Sequence, residues 1–161
     1  MKPAQHPTAL RIAQLVNDAG IESQVVEFEQ TTRTSAEAAA AIGCEVAQIA
    51  KTIVFRGKTS GLAVVVVASG ANRVGEKKVE ALVGEALGRA DADFVRDATG
   101  FAIGGVAPVG HTKPIKMLLD EDLQRFATIW AAAGTPFSVF ALAPDQLRAL
   151  TRAEWSDVKA T

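Results

Sequence analysis

Two periods alternate along the chain, and the changes between them mark out helices and strands. From Thr8 to about Ala19, the residues Leu10, Ile12, Ala13, Leu15 and Val16 form the apolar side of a helix that Thr8 can cap and Gly20 can stop. The stretch SQVVEFE, Ser23 to Glu29, alternates as a strand does. In TTRTSAEAAAAIG the Thr34-x-x-Glu37 spacing is a capping box, the alanines propagate a helix and Gly43 ends it. Two strands follow, Lys51–Arg56 and Leu62–Ala68, joined by a glycine-containing turn. Val64–Val67 is apolar on both faces, so that strand is expected to lie centrally in its sheet.

Beyond SGANRVG the spacing predicts two short helical pieces, Glu76–Leu82 and Val83–Leu87. An extended segment at Asp93–Val95 is then expected to lead through a helical turn to a strand at Phe101–Ile103. Strands are predicted at Lys113–Asp120, Thr128–Ala132 and Phe137–Leu142, with a brief helix at Glu121–Phe126 and a turn at Ala133-Gly134. Pro144 occupies the first turn of a final helix ending near Leu150. No linker, repeat or low-complexity tract interrupts the pattern. The expectation is one domain over residues 1–161, with 1–7 as a loose N-terminus. Its class is α/β (α+β), a mixed, largely antiparallel sheet of about six or more strands, partly barrel-like, with flanking helices.

Composition narrows the function classes. With 161 residues, 48% hydrophobic and 22% charged, the chain has material for one substantial core. A net charge of −1 gives no global attraction to nucleic acid or an anionic membrane, so any RNA contact must come from a local basic patch. Arg73, Lys77, Lys78, Lys113 and Lys116 form such a rim or are simply solvated. The single cysteine, Cys44, excludes an internal disulfide and a cysteine-based zinc site. No apolar signal core or membrane-length run is present, so a cytoplasmic protein without a membrane partner is expected.

The candidate chemistry centres on GFAIGGVAPVGHTKPI, Gly100 to Ile115. Reversing a strand needs only two turn residues, yet Gly104 to His111 holds three glycines, a proline and a histidine. Such a loop either presents rigid backbone amides to a carbonyl, carboxylate or ribose hydroxyl, or is a wide bend. It has neither the spacing of a P-loop nor that of a dinucleotide-binding turn. Lys51 opens the strand TIVF, where its ammonium holds a phosphate, polarises an ester carbonyl, or is solvated. His111 either orients water or a hydroxyl or is exposed, and His6 is discounted. Cys44 follows a helix-ending glycine and fits a small half-buried thiol better than a nucleophile. Ser69 lacks a nucleophile elbow, and no His, Asp or Glu cluster has metal-ligand spacing, so neither metal nor cofactor is expected.

In chain order the first helix, the strand ending in an aromatic, the alanine-rich helix, QIAKTIVF, TGFAIGGVAPVGH and FATIWAAAG resemble the YbaK/ProX family of free-standing aminoacyl-tRNA deacylases. The same module occurs as the editing insertion of bacterial prolyl-tRNA synthetases. The resemblance runs from about Ala9 to Val158 and implies the fold of that family. It implies that Lys51 is the essential lysine. It also implies that Gly104, Gly105, Val106, Ala107 and Pro108 present amides to the aminoacyl ester and help hold the terminal adenosine. Phe28, the neighbourhood of Thr34, Lys51 and this loop would line the pocket, with His111 beside it and the turn after FATIW closing one side.

The implied function is hydrolysis of a mischarged aminoacyl-tRNA ester. The carrier would be a tRNA for proline bearing alanine, cysteine, serine or threonine, and prolyl-tRNA synthetase is a candidate partner. The alternative is a non-catalytic protein holding tRNA or another nucleic acid in the same pocket. An aminoacyl ester is already activated, so positioned water and fixed donors for the oxyanion suffice without a nucleophile triad. A second hydrolytic site is needed because a synthetase pocket rejects slightly smaller or isosteric amino acids poorly. Ala131, Ala132 and Ala133 argue against a polar contact from the last wall, which leaves the substrate amino acid open. If substrate lies against the glycines, Gly105→Val should block binding while leaving the melt nearly unchanged.

Overall fold

Ala63–Ser69 is buried along its whole length, and the rest of the chain is arranged around it. The structure, a computed structural model, describes every residue except 31 and 33. Its strands are β1 (Lys2–Pro3), β2 (Val26–Glu27), β3 (Ile49–Gly57), β4 (Ala63–Ser69), β5 (Leu87–Arg89), β6 (Ile115–Asp120), β7 (Ile129–Ala132), β8 (Ser138–Leu142) and β9 (Glu154–Ser156). They form one mixed, mostly antiparallel sheet in the order β1-β2-β8-β7-β3-β4-β6-β9, with β5 also paired to β3. The helices are α1 (Pro7–Asp18), α2 (Ser35–Ile42), α3 (Glu76–Val83), α4 (Ala92–Thr99) and α5 (Pro144–Thr151).

Both faces of β4 are covered, as its unbroken valines require. Val67 joins the main core, where Ile12 and Val16 of α1 meet Phe101, Leu119, Phe140 and Leu147. Val64, Val66 and Ala68 pack on the other face against Val79 of α3, Leu87 and Val158. Each fully buried valine contributes roughly 1.5–3 kcal/mol relative to exposure, so β4 is the rigid spine of the sheet.

Several elements depart from expectation for identifiable reasons. The first helix begins at Pro7, because the His6 ring, not Thr8, caps it by accepting from the Thr8 amide at 3.1 Å. Residues 1–7, expected to be loose, include β1, which pairs with β2. The buried Glu27 carboxylate accepts the amides of Gln5 and His6. The Ser23–Glu29 strand shrinks to Val26–Glu27, and β9 was not foreseen. Val83–Leu87 is not a helical piece: α3 closes at Gly84 and the chain turns into β5. Asp93–Val95 is helical, because the Asp91 carboxylate caps α4 by accepting the Phe94 amide at 2.8 Å. Phe101–Ile103 is a turn in which Phe101 is anchored in the core while Ile103 is exposed.

The pairing of β3 positions the site. On one edge it is bound to β4 from Ala50 to Arg56. On the other it pairs in parallel with β7 only at Ile49 and Ala50, and with β5 only from Phe55 onward. Lys51 to Val54 therefore have a strand neighbour on one side alone. The β5 end of this gap is clamped by Glu85. Its carboxylate accepts from Lys116 Nζ at 2.5 Å, from the Thr59 and Ser60 amides at 2.9 Å each, and from the Ser60 hydroxyl at 2.8 Å.

Lys116 above all, with the Ser60 and Thr59 donors, pushes the Glu85 carboxyl down to about 2. A depressed carboxylate stabilises the fold above its ordinary value near 4.5 and loses that contribution as pH falls toward 2. Glu85→Gln should therefore melt lower than wild type at pH 7, and the difference should shrink toward pH 2. Thermal melts across that range check this; a constant difference would assign the clamp no electrostatic role.

Candidate functional site

A cleft of about 540 Å³ opens where β3 and β7 part. Ala50, Lys51 and Thr52 line it from β3, and Trp130 and Ala132 from β7. The first turn of α2 lies across it. Thr34 faces the cleft, but its hydroxyl caps the helix, accepting from the Glu37 amide and donating to the Glu37 carboxylate, each at 3.1 Å. Ala38 and Ile49 line the cleft as well and pack with Ala39 and the half-buried Cys44. Burial raises the Cys44 thiol, which keeps it neutral and unsuited to attack.

Lys51 is placed by a chain of polar contacts. Its ammonium donates to the Asn72 carbonyl at 2.7 Å. Asn72 is held in turn by its own amide, which donates to Asp120 at 2.9 Å and to Asp122 at 2.8 Å. Asp120, almost fully buried, also accepts the Ser69 amide at 3.0 Å. The loop leaving β4 is thus tied to the end of β6, with one carbonyl aimed at the lysine. Burial pushes the Lys51 ammonium below the usual lysine range, and the Asp120 charge pulls it back up. One of its three donors is engaged by Asn72, leaving two for a ligand.

Gly104 and Val106 of the glycine-rich loop reach the cleft; Gly105, Ala107 and Pro108 do not line it and are buried. His111 is also outside the lining. Its Nε2 lies 2.8 Å from the Ala107 carbonyl, so it carries the proton and donates, and its ring meets Phe101 edge-on at 6.0 Å. Burial holds the imidazole below its ordinary value, in the neutral form. Phe28 is buried behind the wall, its amide donating to the Phe137 carbonyl at 2.7 Å. Of the residues singled out from sequence, Lys51, Thr34, Gly104 and Val106 meet at the cleft. Phe28, Gly105, Ala107, Pro108 and His111 stand behind it.

The wall after β7 is more polar than its alanines suggest. Ala131 and Ala133 are turned into the core, and only Ala132 lines the cleft. Thr135 and Ser138 supply hydroxyls 2.6 Å apart, both nearly inaccessible to solvent. The pair shares a single hydrogen bond, so one hydroxyl hydrogen has no acceptor among the described residues. The signal for them was the break in apolar pattern at Thr135-Pro136, which reads equally well as a plain turn.

A profile described as the aminoacyl-tRNA editing domain matches residues 29–150. The chain belongs to that family. A Bacillus subtilis (strain 168) protein named only as "Uncharacterized protein YwhH" is 33% identical over 138 residues, covering 85% of this chain and 87% of that one. An Enterococcus faecalis (strain ATCC 700802 / V583) protein named "Putative Cys-tRNA(Pro)/Cys-tRNA(Cys) deacylase EbsC" is 30% identical over 133 residues, covering 77% and 76%. The crystal structure of "a putative trans-editing enzyme for prolyl tRNA synthetase" superposes with a TM-score of 0.91 at 44% identity, over 98% of this chain and all of that one. No helix among the described residues of this editing domain is long and apolar enough to cross a membrane.

The two adjacent glycines of the editing domain serve different ends. Gly104 has φ of +88° with nothing within 4 Å of an added Cβ. At Gly105 a Cβ would lie 2.6 Å from the Thr135 carbonyl carbon and 2.8 Å from the Pro136 nitrogen. Position 105 is therefore small because two backbones touch there, which corrects the expectation of an unchanged melt for Gly105→Val. Gly105→Ala should destabilise by about 1–3 kcal/mol through overpacking, lowering Tm by about 2–4 °C per kcal/mol in a chain this size. An unaltered melting curve for Gly105→Ala would show that the loop and the turn do not press on each other.

Proposed function

We propose that this editing domain is a trans-acting deacylase that hydrolyses the ester of a mischarged aminoacyl-tRNA. The substrate class is tRNA for proline carrying a small wrong amino acid: alanine, cysteine, serine or threonine. The observation that carries the reading is the Lys51 ammonium, held by the Asn72 carbonyl with two donors to spare, at the edge of a cleft bounded by Gly104 and Val106. Support for tRNA for proline as the carrier comes from the E. faecalis relative, named for Cys-tRNA(Pro) and Cys-tRNA(Cys), and from the solved structure named for trans-editing with prolyl tRNA synthetase. The 161 residues act as one domain, in the cytoplasm where tRNA is charged, with prolyl-tRNA synthetase as a working partner.

In this reading the acceptor end enters between α2 and the glycine-rich loop. Water adds to the acyl carbonyl, whose oxygen gains negative charge beside Lys51. The ester C–O bond then breaks, the ribose oxygen takes the proton released by the water, and free amino acid and tRNA leave. The fixed ammonium is already oriented when that charge develops, which is where preorganised groups act most strongly. Gly104 and Val106 contact the aminoacyl-adenosine through the backbone, and Thr34 bounds the entrance. Gly105, Ala107, Pro108, His111 and Phe28 support these surfaces from behind.

Incubating the purified protein with a panel of mischarged tRNAs tests the proposal directly. Selective loss of a small amino acid from tRNA for proline, faster than spontaneous hydrolysis, is expected. No acceleration on any member would leave only a binding function. Lys51→Ala should lower single-turnover deacylation by about a hundredfold or more. Its stability should fall by no more than about 1.5–3 kcal/mol, the worth of one hydrogen bond made by a charged group. Full turnover in that variant would remove Lys51 from the chemistry.

A further inference from the structure

Thr52 presents an anomaly that the proposed chemistry does not use. It lies mid-strand in β3, opposite Val67 of β4, on the face shared with Ala50 and Val54, which both pack in the main core. Its Oγ1 is buried and has no hydrogen-bond partner among the described residues. The other threonines lining the cleft are all engaged: Thr32 donates to the Pro136 carbonyl at 3.1 Å, Thr34 caps α2, and Thr135 pairs with Ser138. Valine has the same shape and would carry no such penalty. A hydroxyl left unpaired in an apolar strand destabilises the empty protein unless something else satisfies it.

The gap in strand pairing shows what can reach it. Adjacent residues of a strand point to opposite faces, so Lys51 and Thr52 would normally be separated by the sheet. From Lys51 to Val54, however, β3 has no neighbour on its outer edge, and both residues line the one cleft. A group entering at that edge meets an ammonium from one face and a hydroxyl from the other.

Resting on the deacylase reading of the cleft, we infer that Thr52 is a second substrate-contacting residue. Its Oγ1–H donates to an oxygen of the aminoacyl-ribose end while Lys51 engages the same end from the opposite face. An ester carbonyl and the neighbouring ribose hydroxyl offer acceptors of the kind this donor lacks.

The test uses 3′-deoxy-3′-(L-alanylamino)adenosine, an amide-linked probe that is not hydrolysed as the ester is. Its binding is measured by calorimetry to wild type, Thr52→Val and Thr52→Ser, with thermal melts of each free protein. Thr52→Val should bind the probe about tenfold more weakly, the worth of one hydrogen bond, while Thr52→Ser stays near wild type. The free Thr52→Val protein should melt no lower than wild type, since the unpaired hydroxyl is gone. Equal affinity in Thr52→Val overturns the inference. So does a lower melt, which would mean that the protein itself holds the hydroxyl, and so does a wild-type protein that ignores the probe. Deacylase activity is scored separately by the tRNA panel. A panel without hydrolysis beside a probe that senses Thr52 would sink the enzyme and keep the contact; active Thr52→Val with unchanged affinity would do the reverse.

Discussion

The site depends on a discontinuity in one strand. β3 is fixed along one edge by β4 and at both ends of the other by β7 and β5, and it is left open over the four residues between. An open strand edge is ordinarily a liability, a row of backbone groups ready to pair with another chain. Here α2, the glycine-rich loop and the Thr135–Ser138 turn surround the opening and make it a cleft. The arrangement needs a rigid partner behind it, and β4 provides one because its valines are buried on both sides. It also needs both ends pinned. The Glu85 clamp does this at the β5 end, tying the β3–β4 turn through Thr59 and Ser60 and β6 through Lys116.

The same geometry sets the electrostatics. A lysine wholly in water would keep its ordinary pKa but bring little field to a substrate, because solvent screens it. Lys51 is partly withdrawn from water, which strengthens its interactions and weakens its hold on the proton. Asp120 offsets the second effect at a distance, through a carboxylate engaged by Asn72 and Ser69 and thus not free to collapse onto the ammonium. Charge retention and charge delivery are assigned to different contacts.

What the sequence revealed and what it hid divide along local and non-local lines. The capping box at Thr34 and Glu37 is complete within four residues, so α2 could be placed from its letters, as could β3 and β4 from theirs. Asp91 as a cap, or the turn of Leu87–Arg89 onto β3, depends on partners the local pattern does not name. The family resemblance brought Lys51, Thr34, Gly104 and Val106 into view, and they do share the cleft. Gly105 was given the wrong reason, because nothing in a Gly-Gly pair reveals that the Thr135 backbone will lie against one member. Thr135 and Ser138 carry no pattern at all, and Thr52, although it stands inside QIAKTIVF, reads there only as a strand residue beside Lys51: a single hydroxyl becomes informative only when its neighbours, or their absence, are known.

Pro136 and Gly105 also make the walls interdependent. The Pro136 carbonyl accepts both the amide and the hydroxyl of Thr32, which leads into α2, at 2.9 and 3.1 Å. The backbone just before Pro136 rests on Gly105, two residues beyond the end of the Phe101–Ile103 turn that Phe101 anchors in the core. Three walls of the cleft, from α2, the glycine-rich loop and the turn before β8, thus converge on one short stretch of backbone. A displacement there moves all three together, carrying the Thr135–Ser138 hydroxyls relative to Lys51, which is anchored independently through Asn72 and β4. The width of the cleft is therefore set by the packing of Gly105 on Thr135 and Pro136, and its charge by the β3–β4 side. On the proposed deacylase reading, substrate selection and ester chemistry would vary separately, because the groups that reading assigns to each are fixed to different parts of the sheet.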